Sequence, residues 1–258
     1  MKGITILLTT FFIMGILPCL SIALDKTGLV LYMSFDEGSG KTVKDLSGKG
    51  NHGSFKGNPK WVNGKIKGGI YLAEIGDFVE VADSPTLDIE KDLTLAIWAN
   101  VESIPNSACA FFMKPTAYML HTVPSGNNCQ EDILVFINGD YGPWPTPNTK
   151  AVAKMNEWHH YAATYDGKKF DLYIDGKRVD GYDRNPNGKI DQDNSPLAIG
   201  RDNRDCCKER NMPCAIDEAT IWSRTLSETE IRELMNGGLT AVEFQDKLST
   251  TWGDIKGN

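Results

Sequence analysis

The stretch "WHHYAATYDGKKFDLYIDGKRV" (residues 158–179) decides the fold class of this chain. Its aromatic and β-branched runs are separated by "DGKK" and "DGKR". An Asp-Gly pair between such runs is a strong signal for a β-hairpin, because both residues tolerate the backbone of a tight turn. We therefore predict a meander of two hairpins over residues 158–179.

The surrounding sequence continues this β pattern. "LTLAIWANV" (residues 93–101) alternates between two faces, as does "DFVEV" (residues 77–81), and "PLAIG" and "AIDEATIW" supply two later strands. A single helix is predicted in "LSETEIRELMNGG", where Ser227 and Glu230 form a capping box and Gly237 is the stop. Many short antiparallel strands with one C-terminal helix predict an all-β, two-sheet β-sandwich of the jelly-roll type.

The first 23 residues resemble an export signal. Met1 and Lys2 precede an uncharged apolar stretch, and small residues at Ser21 and Ala23 suit cleavage after Ala23. Two alternatives are an uncleaved membrane anchor and lipidation at Cys19, and the neighbouring Pro18 disfavours both. We predict a secreted chain.

After removal of residues 1–23, we expect one domain over residues 24–236 and a C-terminal tail over residues 237–258, with no further membrane span. The formal net charge of −7 becomes −8 once Lys2 is removed. An acidic chain is a poor partner for nucleic acid or anionic lipid. It tolerates divalent cations.

Five cysteines remain after this processing, which in an exported protein predicts disulfide bonds and one cysteine left over. Fifteen two-bridge patterns are possible. We favour Cys214 with Cys206 or Cys207, and Cys109 with Cys129, without excluding other pairings. A zinc site is disfavoured because no C-x-x-C pair is present.

Several segments in the same order carry a family resemblance. They are "LYMSFDEGSGKTVKDLSGKGNHGSF", "FVEVADSPTLDIEKDLTLAIWANVES", "NEWHHYAATYDGKKFDLYIDGKRV", "SPLAIGRD" and "AIDEATIWSRTLSETEIRELM". Together they resemble the laminin-G-like, concanavalin A-like jelly-roll family of secreted bacterial proteins. The resemblance covers roughly residues 28–235 and implies a β-sandwich that often serves as a carbohydrate-binding or adhesive module.

The first loop of this pattern predicts a structural calcium site. Calcium takes six to eight oxygen ligands, and the loop offers Asp36, Asp45 and Asn51 among glycines that let backbone carbonyls turn inward. The resemblance implies that the loop lies beside the last strand, so that Asp217 joins these three and the carbonyl of Gly53 contributes. The alternative is ordinary turn chemistry, since Asp and Asn also favour turns.

A second calcium candidate lies in "DRNPNGKIDQDN" (residues 183–194). Asp183, Asn185 and Asn187 stand at positions 1, 3 and 5 of an EF-hand-like loop. Position 12 is Asn194 rather than glutamate, and no flanking helices are predicted. We treat the match as a coincidence.

Catalytic motifs are missing from the sequence. Related β-glucanases carry E-x-D-x-x-E on one strand, and Glu90 alone has an aspartate two places on, without the second glutamate. His159 and His160 are adjacent on a predicted strand and point to opposite faces, so they cannot share a metal ion. The chain is predicted not to be an enzyme, and a glycoside hydrolase is the least favoured function.

The ligand site is predicted in "NGDYGPWPTPN" (residues 138–148). Tyr141 and Trp144 lie in a proline-stiffened loop, where a rigid exposed aromatic ring can stack on a sugar while Asn138 and Asp140 bond its hydroxyls. In the alternative, Trp144 packs back onto the sandwich. We predict a secreted, calcium-stabilised, lectin-like module that binds extracellular glycans, or else an adhesion module that binds a protein at the cell surface.

Overall fold

The computed structural model of the protein describes residues 24–103, 109–125, 130–137, 154–183, 188–207, 210 and 212–239. Within these residues the chain forms two antiparallel sheets that pack as a β-sandwich, with one α-helix near the C-terminus. The predicted fold class is confirmed. Among the described residues, no helix combines the length and apolar character needed to cross a bilayer.

The strands are short and follow one another along the chain. Their bounds are β1 Leu29–Met33, β2 Thr42–Val43, β3 Gly53–Lys56, β4 Lys60–Asn63, β5 Gly68–Leu72, β6 Phe78–Val81, β7 Leu93–Val101, β8 Cys109–Lys114, β9 Tyr118–Ser125, β10 Gln130–Ile137, β11 Trp158–Tyr165, β12 Lys169–Ile174, β13 Lys177–Asp183, β14 Leu197–Ile199 and β15 Cys214–Trp222.

Consecutive strands such as β8–β10 and β11–β13 stay within one sheet, and the chain crosses repeatedly between the two layers. Sheet A has the order β13-β12-β11-β7-β15-β5-β4, with β1 also paired to β15. Sheet B has the order β10-β9-β8-β14-β6-β3-β2. The core lies between the sheets and includes Leu95, Ile97, Phe111 and Tyr161, all at most 1% exposed. Burial of this apolar surface is the main driving force for the fold.

The hairpins predicted over residues 158–179 are present as β11, β12 and β13. The turn between β12 and β13 consists of Asp175 and Gly176, with φ of 51° and 70°. Positive φ at both central residues defines the turn type that matches the twist of paired strands. The Asp-Gly signal therefore predicted this turn for the correct physical reason.

Both faces of β7 are buried, because sheet A is covered on its outer side as well. The helix α1 (Glu228–Met235) packs there together with Leu24 and Leu239, over a cluster that includes Tyr32 and Trp222. The Ser227–Glu230 capping box is present, and Gly237 has the positive φ of a helix stop. The packed fold thus extends to Leu239, which is fully buried.

Strand β15 positions the residues discussed below. Its first residues pair with β5 (Ile216 opposite Ile70), and its last residues pair with β1 (Ala219 opposite Met33). The two partner strands therefore lie end to end along one edge of β15. Asp217 and Glu218 fall at the point where they meet, and the register of β15 shifts there.

Candidate functional site

The structure divides the predicted calcium ligands into two groups. Asp36 and Asp217 lie where β1, β5 and β15 meet. Asp45 and Asn51 lie in the loop between β2 and β3, which is held against the backbone of β1. We call the first group, with residues 64–68 and Glu218, the β15 junction, and the second group, residues 45–52, the Asp45 loop.

Asp45 is buried and organises its loop by hydrogen bonds. Its Oδ1 accepts the backbone N–H of Tyr32 at 3.0 Å and of Ser47 at 2.9 Å, and its Oδ2 accepts the N–H of Asn51 at 2.9 Å. The Ser47 hydroxyl lies 2.8 Å from Oδ2. A carboxylate has about four lone-pair sites, so each site already faces a donor. This arrangement makes Asp45 the organiser of its loop, and its role as a calcium ligand stays a prediction.

Asn51 and Gly53 also serve the backbone of the sandwich. The Asn51 side chain donates to the carbonyl of Val30 at 2.9 Å and to the hydroxyl of Thr86 at 2.8 Å. Gly53 begins β3 and stands opposite Val81 in sheet B. A Cβ on Gly53 would lie 2.9 Å from the terminal methyl of Met33, so glycine is needed there for packing.

At the β15 junction, carboxylates replace the interrupted ladder of backbone hydrogen bonds. Asp217 accepts the N–H of Ile66 through Oδ2 and of Glu218 through Oδ1, both at 2.8 Å. Asp36 accepts the N–H of Gly68 at 2.9 Å and forms an ion pair with Lys67 at 3.2 Å. The first loop, the β4–β5 hairpin and the last strand are tied together by these bonds.

Glu218 completes the junction and was not predicted from the sequence. Its Oε2 accepts the hydroxyl proton of Tyr32 at 2.9 Å, whereas its Oε1 is buried and has no hydrogen-bond partner among the described residues. Tyr32 thereby connects the two groups, because its N–H is bonded to Asp45. The sequence signal was the glutamate next to Asp217 in "IDEA".

Three residues at or beside the junction have strained backbones. Phe35, which precedes Asp36, has a φ of 50°, Lys67 has 58°, and Glu218, which follows Asp217, has 51°. The left-handed region costs a residue other than glycine about 1–2 kcal/mol. Such strain persists where the surrounding structure holds it, and it concentrates at functional sites. Phe35 and Glu218 are the chain neighbours of the two predicted ligands of this group.

Glycine allows the hairpin to approach the carboxylates closely. A Cβ on Gly64 would lie 2.6 Å from Oδ2 of Asp217. A Cβ on Gly68 would lie 2.5 Å from the carbonyl oxygen of Phe35 and 3.0 Å from the Cα of Asp36. Both sites therefore exclude side chains, and residues 64–68 can bring their N–H groups to the acids.

Burial disfavours charge on the two adjacent acids of β15. Burial raises the pKa of Asp217 to about 7, with Asp36 adding to the shift and the N–H donors opposing it. Burial and the neighbouring Asp217 raise the pKa of Glu218 to about 8, while the Tyr32 hydroxyl opposes the shift. A positive charge bound here would offset the repulsion between the acids.

The β15 junction fits a cation better than the Asp45 loop does. It holds buried acids and an oxygen without a partner, which are the features that an ion would satisfy. Within the described residues, no three His, Cys, Asp or Glu side chains are grouped so that they could hold a metal ion. A calcium ion at the junction would therefore take its remaining ligands from backbone carbonyls and water.

Other predicted residues lie outside the part of the chain that the structure describes. These are Asn138, Asp140, Tyr141, Trp144, Cys129, Asn185 and Asn187. The side chains of Cys109, Cys206 and Asp183 are likewise not described. Cys207 and Cys214 are buried. The sugar-binding loop, the disulfide pairings and the second calcium site therefore stay predictions.

The histidines of β11 lie in different environments. His159 Nδ1 lies 2.8 Å from Oδ2 of Asp175. His160 is buried with its ring 5.4 Å from that of Trp98, and burial lowers its pKa to about 4, although Asp175 opposes the shift. Neither arrangement places a nucleophile beside a base.

Two buried ionic groups lie elsewhere and were not predicted. The Lys114 ammonium is fully buried and contacts Asp83 at 2.7 Å and the carbonyl of Ser195 at 3.1 Å. Asp202 is fully buried and contacts Arg204 at 2.6 Å and Arg210 at 3.1 Å. Burial by itself would raise the pKa of Asp202. The hydrogen bonds from Arg204 outweigh burial, so the pKa of Asp202 is lower than usual. Both groups connect loops to sheet B.

The fold and these motifs define a class of protein, and comparison with known families agrees. The chain belongs to the concanavalin A-like lectin/glucanase superfamily, whose laminin-G-like profile matches residues 73–232. The resemblance noted from the sequence is confirmed. Comparison with curated protein sequences gives no match.

Similar solved structures include binding domains from several sources. Domain 4 of AbnA, an extracellular GH43 arabinanase from Geobacillus stearothermophilus solved with arabinotriose, superposes with a TM-score of 0.64 at 20% identity, over 81% of this chain and 99% of that domain. The binding domain of Paraclostridial Mosquitocidal Protein 1 superposes with a TM-score of 0.60 at 19% identity. The match covers 82% of this chain and 52% of the mosquitocidal protein's domain. At these identities the likeness concerns the fold.

A sialidase is also among the similar structures. The enzyme from Trypanosoma rangeli superposes with a TM-score of 0.59 at 18% identity, and the chain spans 80% of its own length but 32% of the sialidase. The fold therefore occurs both in binding domains and within larger glycosidases.

Proposed function

We propose that this protein is a secreted, non-catalytic module that binds extracellular carbohydrate. The supporting observation is that the chain matches 99% of AbnA domain 4, a domain solved with arabinotriose. The likeness is one of fold, so the ligand class is carried over by analogy. The buried position of Asp217 and Glu218, at 0% and 4% exposure, supports a non-catalytic role because a polysaccharide cannot reach these acids.

Affinity gel electrophoresis tests this function directly. The protein would be run through native gels that contain arabinan, another neutral polysaccharide or no polymer. Retardation by a polysaccharide is expected, without release of reducing ends during long incubation. Unchanged mobility with every polysaccharide tested would overturn the proposal. Reducing-end release that persists after further purification would instead support an enzyme.

A protein partner is the second candidate function. The botulinum neurotoxin DC binding domain, solved with rat synaptotagmin II, shares the fold with a TM-score of 0.55 at 14% identity. Specific capture of one surface protein by the purified chain, without retention by any glycan, would favour this adhesion role over the first.

We further propose that calcium stabilises the domain at the β15 junction, through Asp36, Asp217 and Glu218. Bound calcium would supply charge neutralisation and would fix the first loop to the last strand. At a hundred times its dissociation constant, a ligand stabilises a protein by about 2.7 kcal/mol, which raises the midpoint of a domain this size by several degrees.

Thermal melts with calcium and with a chelator test the calcium proposal. A rise with calcium is expected in the wild type and is expected to disappear in Asp217→Ala. Because Asp217→Ala also removes hydrogen bonds, Asp217→Asn provides a second variant that keeps an oxygen acceptor. Equal midpoints with calcium and with chelator in the wild type would overturn the proposal.

Export from the cell is proposed from the signal-like residues 1–23. N-terminal sequencing of the protein recovered from culture medium is expected to begin at Leu24, after cleavage behind Ala23. A product that begins at Met1 and remains with the cells would overturn this part of the proposal.

A further inference from the structure

One edge of the sandwich carries an unusual concentration of positive charge. Residues 38–73 contain seven lysines and a single acidic residue, the buried Asp45, in a chain whose formal net charge is −7. All seven lysines are exposed, and they are Lys41, Lys44, Lys49, Lys56, Lys60, Lys65 and Lys67. We call this surface the basic edge.

The topology gathers most of these lysines at one side of the molecule, while the Lys65 ammonium lies 4.5 Å from the centre of the Trp98 ring in β7. Strand β4 is the last strand of sheet A, and β2 is the last strand of sheet B. Phe55 of β3 and Trp61 of β4 join the two sheets there, with ring centroids 5.0 Å apart. The basic edge therefore spans both layers at the same open side of the sandwich.

Much of this charge is available to a ligand. Lys56 pairs with Glu80 at 2.9 Å, and Lys67 pairs with Asp36 at 3.2 Å, so these two charges are offset. The other five lysines make no ion pair with the residues that the structure describes. Exposed ammonium groups without acidic partners attract anions, and the attraction weakens as salt is added.

A groove of about 350 Å³ opens within the basic edge. Its lining residues are polar and are Glu37, Ser39, Gly40, Lys41, Thr42 and Lys44. This volume falls at the lower end of the range of small-molecule sites, roughly 300–1,000 Å³. It suits a single sugar ring better than a large ligand.

A rigid aromatic residue stands beside the groove. The Trp61 indole N–H donates to the carbonyl of Gly40 at 3.0 Å, and the ring packs on Phe55 while part of it stays exposed. An indole held in this way offers an apolar face at little cost in side-chain entropy. Such a face stacks on the C–H side of a sugar ring.

The groove also carries two ammonium groups over a fixed backbone. Glu37 Oε1 accepts the backbone N–H of Lys44 at 2.8 Å, which holds the segment between Glu37 and Lys44 in place, and Oε2 is buried without a hydrogen-bond partner within the described residues. The side chains of Lys41 and Lys44 are exposed at the same groove. The groove thus presents two cationic groups that can bind a carboxylate.

We propose that the basic edge binds a uronic-acid-bearing polysaccharide, with one sugar residue seated in the groove. Lys41 and Lys44 bind the uronate carboxylate, and Trp61 contacts the apolar face of the ring. The remaining lysines attract successive uronates along the polymer. This inference rests on the proposed carbohydrate-binding function and gives it a ligand class and a location.

Affinity electrophoresis in gels with polygalacturonate tests the inference, with arabinan as the neutral polymer. The protein is expected to be retarded by polygalacturonate, and the retardation is expected to weaken between about 50 and 500 mM salt. The double variant Lys41→Gln/Lys44→Gln is expected to bind at least tenfold more weakly. Trp61→Phe is expected to lose binding with little change in the thermal midpoint.

The control is Lys168→Gln/Lys177→Gln, which removes two exposed lysines at the turns of β11–β13, at the opposite end of sheet A from β4. It removes the same charge and is expected to bind within twofold of wild type. Equal losses in both double variants would overturn the site, because the effect would then follow net charge alone.

Two further arms distinguish the ligand class. Retention by arabinan but not by polygalacturonate would overturn this inference and leave the proposed function standing, whereas retention by neither polymer would overturn both. Single-stranded DNA and vesicles of phosphatidylserine provide anions of other classes. Binding to them as tightly as to polygalacturonate would replace the uronate assignment with a general anion surface.

Discussion

The Asp45 loop and the β15 junction are both built around buried acids, yet the two regions handle their carboxylates differently. Asp45 faces three N–H donors and a hydroxyl, so its lone pairs are satisfied within the chain. At the junction, two acids lie side by side, and Glu218 Oε1 has no partner among the described residues. The first region satisfies its carboxylate within the chain, whereas the second leaves a buried oxygen that an ion could satisfy.

This difference shows why an acid-rich loop supports two interpretations from sequence. Turn residues and calcium ligands are drawn from the same residue types, because both uses need oxygen atoms and flexible glycines. The spacing of Asp36, Asp45 and Asn51 indicates both uses equally. Only the direction of the N–H donors assigns Asp45 to the loop and Asp217 to the junction. Four experiments sharpen the comparison.

The largest effect is expected from Asp45→Ala. The change leaves the buried N–H groups of Tyr32, Ser47 and Asn51 without an acceptor, which costs about 3–5 kcal/mol in the free energy of unfolding. A thermal melt should show the midpoint lowered by roughly 10 °C, by the same amount with calcium and with chelator. Asp45→Asn is the matched control and should lose less. A loss in the midpoint that is larger with calcium than with chelator would instead indicate that Asp45 is a calcium ligand.

The pH dependence of the free energy of unfolding tests the contribution of the buried His160, which lies outside both regions. His160 has a folded-state pKa of about 4, below its unfolded value of about 6.5. The unfolded chain therefore binds more protons between these pH values, so His160 lowers the free energy of unfolding as pH falls from 6.5 to 4 and has no effect above that window.

The expected loss from His160 is about 3 kcal/mol across this window. Chemical denaturation at pH 7 and pH 4.5 would measure it, with His160→Phe as the variant that keeps an aromatic ring beside Trp98. Asp217 and Glu218, whose pKa values are raised, contribute with the opposite sign in both proteins, so the comparison is the difference between them. On going from pH 7 to pH 4.5 the variant should lose less free energy of unfolding, or gain more, than wild type. An identical change in both proteins would mean that the pKa of His160 is not lowered in the folded state.

Gly68→Ala tests the close approach of the hairpin to the junction. Its Cβ would press on the backbone of Phe35 and Asp36, and overpacking against backbone costs about 1–3 kcal/mol. Gly48→Ala is the control in the other region, where a Cβ meets nothing within 4 Å and the positive φ alone adds strain, about 1–2 kcal/mol. A loss below about 1 kcal/mol in Gly68→Ala, measured by denaturant titration, would contradict the crowding argument.

The smallest effect is expected from Glu218→Gln, which replaces one of two adjacent buried acids by a neutral group of the same size. With chelator present, we expect a change between zero and about 1 kcal/mol of stabilisation, because the neutral amide avoids burying a second carboxylate beside Asp217. The rise in midpoint with calcium should shrink or disappear. A full calcium response in Glu218→Gln would place the ion elsewhere.

Several features of the chain followed from local sequence alone. The Asp-Gly turns fixed the β11–β13 meander because Asp175 and Gly176 accept positive φ. The Ser227–Glu230 pair fixed the start of α1, since both capping hydrogen bonds lie within four residues. The family resemblance was also readable, because it depends on the order of motifs along the chain. Interactions of short range in sequence leave patterns that can be read without the fold.

The tertiary structure decided how distant residues combine. Nothing local indicates that β1 and β5 meet end to end beside β15, so the partnership of Asp217 with Ile66, and of Glu218 with Tyr32, lies beyond sequence spacing. The same holds for the basic edge, where lysines of β3, β4 and the neighbouring loops become one surface only because β2 and β4 end their sheets on the same side. Burial and hydrogen-bond direction depend on packing, and packing joins residues far apart in the chain.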